Sequence, residues 1–166
     1  KHQMVKVVNV PSPILKLSKL NSSTLLVGCL NGLYLYINEK FELLNNPNWL
    51  PETRINSIVI YGDKVFVLTD GKGLLIFEKN MERFKHYQNN LSSSVNCIQL
   101  VKDSVVWLGS NEGLFKALLS KKEGFKVVLK LTTYDGLPSK EINDVKTFNT
   151  DLVIATNNGV SIFNDN

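Results

Sequence analysis

Four segments of this 166-residue chain carry one signature: an alternating apolar run, a small residue or hydroxyl, a short polar turn, a glycine and a second apolar run. They read TLLVGCLNGLYLYI at 24–37, KVFVLTDGKGLLIF at 64–77, VVWLGSNEGLFKAL at 105–118 and DLVIATNNGVSIF at 151–163. The matching glycines Gly32, Gly73, Gly113 and Gly159 stand 41, 40 and 46 residues apart. A second landmark precedes three of the segments: INSIVI at 55–60, VNCIQL at 95–100 and INDVKT at 142–147. Its first residues, Ile55, Val95 and Ile142, are 40 and 47 residues apart, so both landmarks advance in step. The first repeat has PILKLSKL in the corresponding place, and the third is lengthened around LLSKKEGFKVV. Self-similarity at a fixed period of this size restricts the chain to repeat architectures.

Each repeat divides into four strands. In the second, strand a is INSIVI, b is KVFVLT, c is GLLIFE and d is MERFKHY. Gly62-Asp63, Asp70-Gly71-Lys72-Gly73 and Lys79-Asn80 separate them, and Gly and Asn supply the positive φ that tight hairpin turns require. The runs are rich in Val, Ile, Leu, Phe and Tyr, which suit a packed pleated surface. A four-stranded unit of 40–45 residues that cannot cover both of its faces alone is the blade of a β-propeller. The expectation is therefore an all-β chain of about four antiparallel blades. Residues 1–13 form the outer strand of a blade, 14–53 blade 1, 54–94 blade 2, 95–141 blade 3 and 142–166 the strands a to c of blade 4. MVKVVNV at 4–10 is similar to FKVVLKL, strand d of the third repeat. It can therefore close a small ring by completing blade 4, or belong to the preceding blade of a larger propeller, and the second is the favoured expectation.

Composition limits the function classes. With 43% apolar and 20% charged residues this is an ordinary globular chain, and its formal charge of +4 is spread among acids rather than gathered in the basic face that nucleic acid requires. No run approaches the apolar length of a membrane span, and the opening KHQMVKVVNV lacks the pattern of a signal peptide. Cys29 and Cys97 occupy non-equivalent places in the repeats and read as small packing residues rather than a disulfide framework. His2 and His86 have no evident catalytic partner, and no His, Cys and carboxylate cluster has metal-ligand spacing. No catalytic residue, metal site or cofactor is expected, and the chain reads as a non-enzyme.

The stretch LTTYDGLPSKEINDVKTFNTDLVIATNNGVSIF at 131–163 resembles the two-component regulator propeller repeat, which pairs a DGL-x-x-x-x-I-N opening with a W/V-I-G/A-T-x-x-G-L/V-x-x-F body. VWLGSNEGLF at 106–115 has the same body with Ser110 for Thr, and VLTDGKGLLIF at 67–77 is its one-residue-longer variant. The resemblance covers residues 14–166. It implies a periplasmic or extracellular sensing segment of a bacterial two-component receptor, responding to carbohydrate or another small signal, with a homodimer formed through the parent receptor. The alternative class is a protein-interaction scaffold without a small ligand.

Antiparallel strand order puts the b–c turns and the d–a connections at one end of the blades. The candidate ligand-binding residues there are Asn31, Asp70, Lys72, Asn111, Glu112 and Asn157 from the turns, with Trp49 and Tyr134 from the connections. The two aromatics can stack on a ring or anchor a partner. Asn and Gly in such turns also serve backbone geometry alone, Trp49 between Pro47 and Pro51 can simply seal two blades, and Trp107 on strand b is expected in the inter-blade core.

Overall fold

The computed structural model describes residue 10 and residues 12–88, 91, 94–101, 104–120 and 124–164. Its strands group into four antiparallel sheets. Blade 1 holds β1 (Ile14–Lys19), β2 (Thr24–Cys29), β3 (Gly32–Ile37) and β4 (Lys40–Leu43); blade 2 holds β5 (Ile55–Tyr61), β6 (Lys64–Thr69), β7 (Leu74–Glu78) and β8 (Phe84–Tyr87). Blade 3 holds β9 (Val95–Val101), β10 (Val105–Ser110), β11 (Leu114–Ser120) and β12 (Gly124–Leu131), and blade 4 holds β13 (Ile142–Phe148), β14 (Asp151–Thr156) and β15 (Gly159–Asn164). Two single 3-10 turns, Leu50–Glu52 and Thr133–Asp135, lie in d–a connections. The segment 4–10 read as an outer strand lies outside the described residues, apart from Val10.

The recurring glycine has a mechanical reason. Strand b ends on a hydroxyl residue in three blades, and its side chain donates across the b–c turn to the glycine carbonyl: Thr69 Oγ1 to Gly73 at 2.7 Å, Ser110 Oγ to Gly113 at 2.9 Å and Thr156 Oγ1 to Gly159 at 2.9 Å. Blade 1 has buried Cys29 at that place. The latch needs positive φ, which is +131° at Gly113, and a Cβ there would sit 2.3 Å from the Leu131 carbonyl oxygen. Only glycine meets both demands.

The Ile-Asn landmark is a β-bulge. Register slips by one residue near the start of every strand a, at Leu15, Asn56, Asn96 and Asn143. A bulge frees one residue from the ladder and re-aims its side chain. Asn56 uses this freedom to donate Nδ2 to the Val95 carbonyl at 3.0 Å, and Asn96 does the same to Ile142 at 3.0 Å. Each bond crosses from the first strand of one blade to the first strand of the next. The first strands therefore line up in the order β1, β5, β9, β13.

The core is made between blades. Leu26 and Leu33 pack with Ile55, Ile58 and Val67 of blade 2; Phe66 and Leu74 pack with Val95, Ile98 and Leu108 of blade 3; Trp107 and Leu114 pack with Ile142, Val145 and Ile154 of blade 4. Trp107 is buried at the centre of the third interface, with Phe163 edge-on to it at 5.6 Å. Blade faces approach so closely that Gly28 and Gly109 on strands b have no room for a methyl: a Cβ would lie 2.7 Å from Ile55 Cγ2 and 2.6 Å from Ile142 Cγ2. Among the described residues no strand pairs with the outer side of β15, and Val160 and Ile162 on that last sheet are exposed. This is a β-propeller segment.

Candidate functional site

One hydrogen bond recurs at the same end of all four blades. The residue after strand b donates its backbone N–H to the residue just before strand a: Leu30 to Pro13 (3.3 Å), Asp70 to Arg54 (3.0 Å), Asn111 to Ser94 (3.4 Å) and Asn157 to Glu141 (3.3 Å). These bonds weld each b–c turn to its d–a connection and build one continuous loop face. All eight sequence-derived candidates lie on it.

Among the described residues the structure brings Trp49 and Lys72 into contact. Trp49 precedes the 3-10 turn anchored by fully buried Leu50, and its carbonyl accepts the Thr53 hydroxyl at 2.8 Å. The half-buried indole meets the Lys72 ammonium, 5.9 Å from the ring centroid, and the His86 imidazole, with centroids 4.9 Å apart. His86 Nε2 is 2.6 Å from the Lys72 carbonyl oxygen, which holds the imidazole in place by accepting its N–H. A b–c turn, a d–a connection and an outer strand thus converge on an aromatic surface with a cation above it. An ammonium over an indole face is attractive, and the pair presents both a stacking plane and a positive donor. His86 was not among the sequence candidates. Its only signal is its place on β8, opposite Leu75 of the neighbouring strand, which no motif marks.

The other candidates stand apart. Asn31 accepts the Tyr34 hydroxyl at 3.2 Å. Asp70 Oδ1 accepts the Ser94 hydroxyl at 2.7 Å and so ties blade 2 to the start of blade 3. Glu112 faces Lys130 at 3.5 Å, both half exposed. Asn157 is bonded to Glu141 and accepts from Asn143. Asn111 is exposed. Tyr134 is 99% exposed on a connection stiffened by a capping box, in which Asp135 Oδ2 accepts from the Thr132 N–H at 2.8 Å and its hydroxyl at 3.0 Å. The loop face therefore carries one composite cluster around Trp49 and several separate polar positions.

Burial pushes the Cys29 thiol up, and burial followed by the Asp144 charge pushes Cys97 up to about 11, which disfavours the thiolate at both positions. Among the described residues no three His, Cys, Asp or Glu side chains gather to hold a metal, and no helix is long and apolar enough to cross a membrane. A cavity of about 900 Å³ lies at the opposite end, between blades 2 and 3. Phe66, Ile76, Phe125 and Tyr87 form its floor, with Asp63, Lys64, Glu82 and Arg83 at its rim.

No protein-family model matches the chain, and no curated protein does. Solved structures share its fold. The extracellular domain of BT4673 from B. thetaiotaomicron, a protein assigned as a hybrid two-component system, superposes with a TM-score of 0.77 at 20% identity, over 97% of this chain and 22% of that one. The WD40 β-propeller domain of Doa1 does so at 0.69 and 16% identity, over 92% of this chain and 51% of that one. The computationally designed Ika4 protein gives 0.67 at 12% identity, over 99% of both chains. The chain thus spans about a fifth of the BT4673 domain it matches, and the likeness at these identities is one of fold.

Proposed function

We propose that the chain is a non-catalytic, extracytoplasmic sensor segment of a two-component receptor, binding a small signal ligand, such as a carbohydrate, on its loop face. The observation that carries the reading is the Trp49–Lys72–His86 cluster, where three segments distant in sequence present an aromatic plane and a cation at the loop end. The fold shared with an extracellular two-component domain favours the receptor context, as do the propeller-repeat motifs at 67–77, 106–115 and 131–163. Asn31, Asp70, Asn111, Glu112, Tyr134 and Asn157 are proposed as outlying contacts for a ligand large enough to cross blades.

Stacking against an indole is the main attraction in this reading. Trp49→Ala should weaken binding by about 1–3 kcal/mol; because the indole also packs against the core between blades 1 and 2, the variant should melt earlier, and binding is compared below its transition, where circular dichroism shows it folded. The experiment is a glycan-array and metabolite screen, followed by chemical-shift mapping of any binder found. Shifts centred on Trp49, Lys72 and His86 support the reading. Shifts confined to the groove between blades 2 and 3 overturn the placement, and binding that survives both Trp49→Ala and Lys72→Ala overturns the chemistry.

A further inference from the structure

The groove between blades 2 and 3 is a second candidate site, remote from the loop face and built from different chemistry. Its volume of about 900 Å³ is that of a pocket for a small organic molecule. Both of its walls belong to this chain: β6, β7 and β8 on one side, β11 and β12 on the other. Buried Phe66, Ile76 and Phe125 and half-buried Tyr87 form an apolar floor, with the rings of Tyr87 and Phe125 4.9 Å apart.

Charge on these walls is matched in one place and unmatched in another. Residues directly opposite in an antiparallel pair share a face of the sheet. Glu78 stands opposite Lys64 and donates its N–H to the Arg83 carbonyl, so it sits between two cations, and Asp63 lies 3.4 Å from Lys64. Lys85 instead stands opposite Ile76, and its ammonium has no ion pair or hydrogen bond among the described residues. The Tyr87 hydroxyl, two residues on and on the same face, has no hydrogen bond among them either. Both groups converge on Gly124 of blade 3: a Cβ there would lie 3.3 Å from Tyr87 Oη and 3.6 Å from Lys85 Nζ. Two unpartnered donors, one of them charged, thus flank a gap that the chain leaves without a side chain, beside an aromatic floor.

We infer that this groove binds a small carboxylate with an aromatic or apolar body. The body lies on Phe66, Ile76 and Phe125 and releases the water that covers them. The carboxylate fills the gap at Gly124 and accepts from Lys85 Nζ and Tyr87 Oη, giving each donor the partner it lacks. A charge-assisted bond to an ammonium is open to a carboxylate and not to a neutral amide of the same shape, so charge selects the ligand class once the floor has taken the apolar part. The loop-face cluster is different, because its ammonium already lies over the Trp49 indole. A carboxylate held in the groove is therefore a second ligand, and the inference does not rest on the carbohydrate reading.

Chemical-shift mapping of the isotope-labelled chain tests it, with phenylbutyrate as the probe and phenylbutyramide as its neutral counterpart. Saturable shifts should centre on Phe66, Ile76, Lys85, Tyr87 and Phe125, and the acid should bind roughly twofold to fivefold tighter than the amide, the scale of one solvent-accessible ion pair. Lys85→Gln, which keeps most of the aliphatic stem, should abolish that preference, while Lys85→Arg should keep it. Tyr87→Phe should reduce it and leave the ring against Phe125. Lys85 is exposed, so circular dichroism of its variants should match that of the wild type. Equal affinity for acid and amide overturns the inference, and so does a preference that survives Lys85→Gln. Shifts that fail to saturate, or that centre outside the groove, overturn it as well.

Discussion

Gly28 and Gly109 occupy the penultimate position of strand b, where blade 2 has Leu68 and blade 4 has Ala155. Comparison of the repeats alone makes alanine look harmless there. Neither glycine has the left-handed φ that excludes side chains, so Gly→Ala would ordinarily stabilise by about 0.4–1 kcal/mol through the unfolded chain. The tertiary structure predicts the opposite. A Cβ on Gly109 would lie 2.4 Å from Cys97 Sγ and 2.6 Å from Ile142 Cγ2, both held in the interface between blades 3 and 4. Neither neighbour is the free end of a flexible side chain, so relief requires the two blades to separate slightly. Overpacking of this kind costs about 1–3 kcal/mol, which exceeds the entropic gain. Gly109→Ala should therefore lose about 1–2 kcal/mol net, or about 2–8 °C in melting temperature for a chain of this size. Urea titration followed by tryptophan fluorescence reads this directly, because Trp107 sits in the same interface. Cys97→Ala added to Gly109→Ala should recover part of the loss by removing the nearer contact. A single variant as stable as the wild type refutes the claim that blade spacing at this point is set by glycine.

Three further outcomes follow from the same contacts. Asn96→Ala should cost about 1–3 kcal/mol, because it strands the partly buried Ile142 carbonyl it serves, whereas Asn143→Ala should cost less than about 1 kcal/mol because its bond is exposed and internal to one blade; paired denaturation curves check the difference. Thiol labelling at pH 8 should be slow for Cys97 in the folded chain and fast in urea, since burial holds its pKa at about 11 against an ordinary 9.0. The same shift means Cys97 contributes stability that is complete below pH 9.0 and lost as pH rises toward about 11, so the pH dependence over that window should flatten in Cys97→Ala.

The blade count, the strand order and the loop end of the molecule were legible in the chain before any coordinates. Hydroxyl, turn and glycine recur because the b–c latch is local: Thr69 reaches Gly73 and Ser110 reaches Gly113 within one turn. Antiparallel hairpins then dictate which connections share an end. The Ile-Asn landmark was visible but mute. Its asparagine serves a carbonyl 39 or 46 residues away, and a partner in another blade leaves no local trace. The candidate site divides in the same way. Trp49 and Lys72 are readable as loop residues, but their meeting with His86 is set by how the connection between blades 1 and 2 folds over the b–c turn of blade 2. The groove between blades 2 and 3 draws its lining from strands and turns of both blades, and only the tertiary structure brings them together. Period and turn chemistry are properties of neighbouring residues, and these the sequence determined by itself. Which small residue is obligatory and which aromatic meets which cation depend on the spacing between sheets and the path of the connections, and only the tertiary structure decided them.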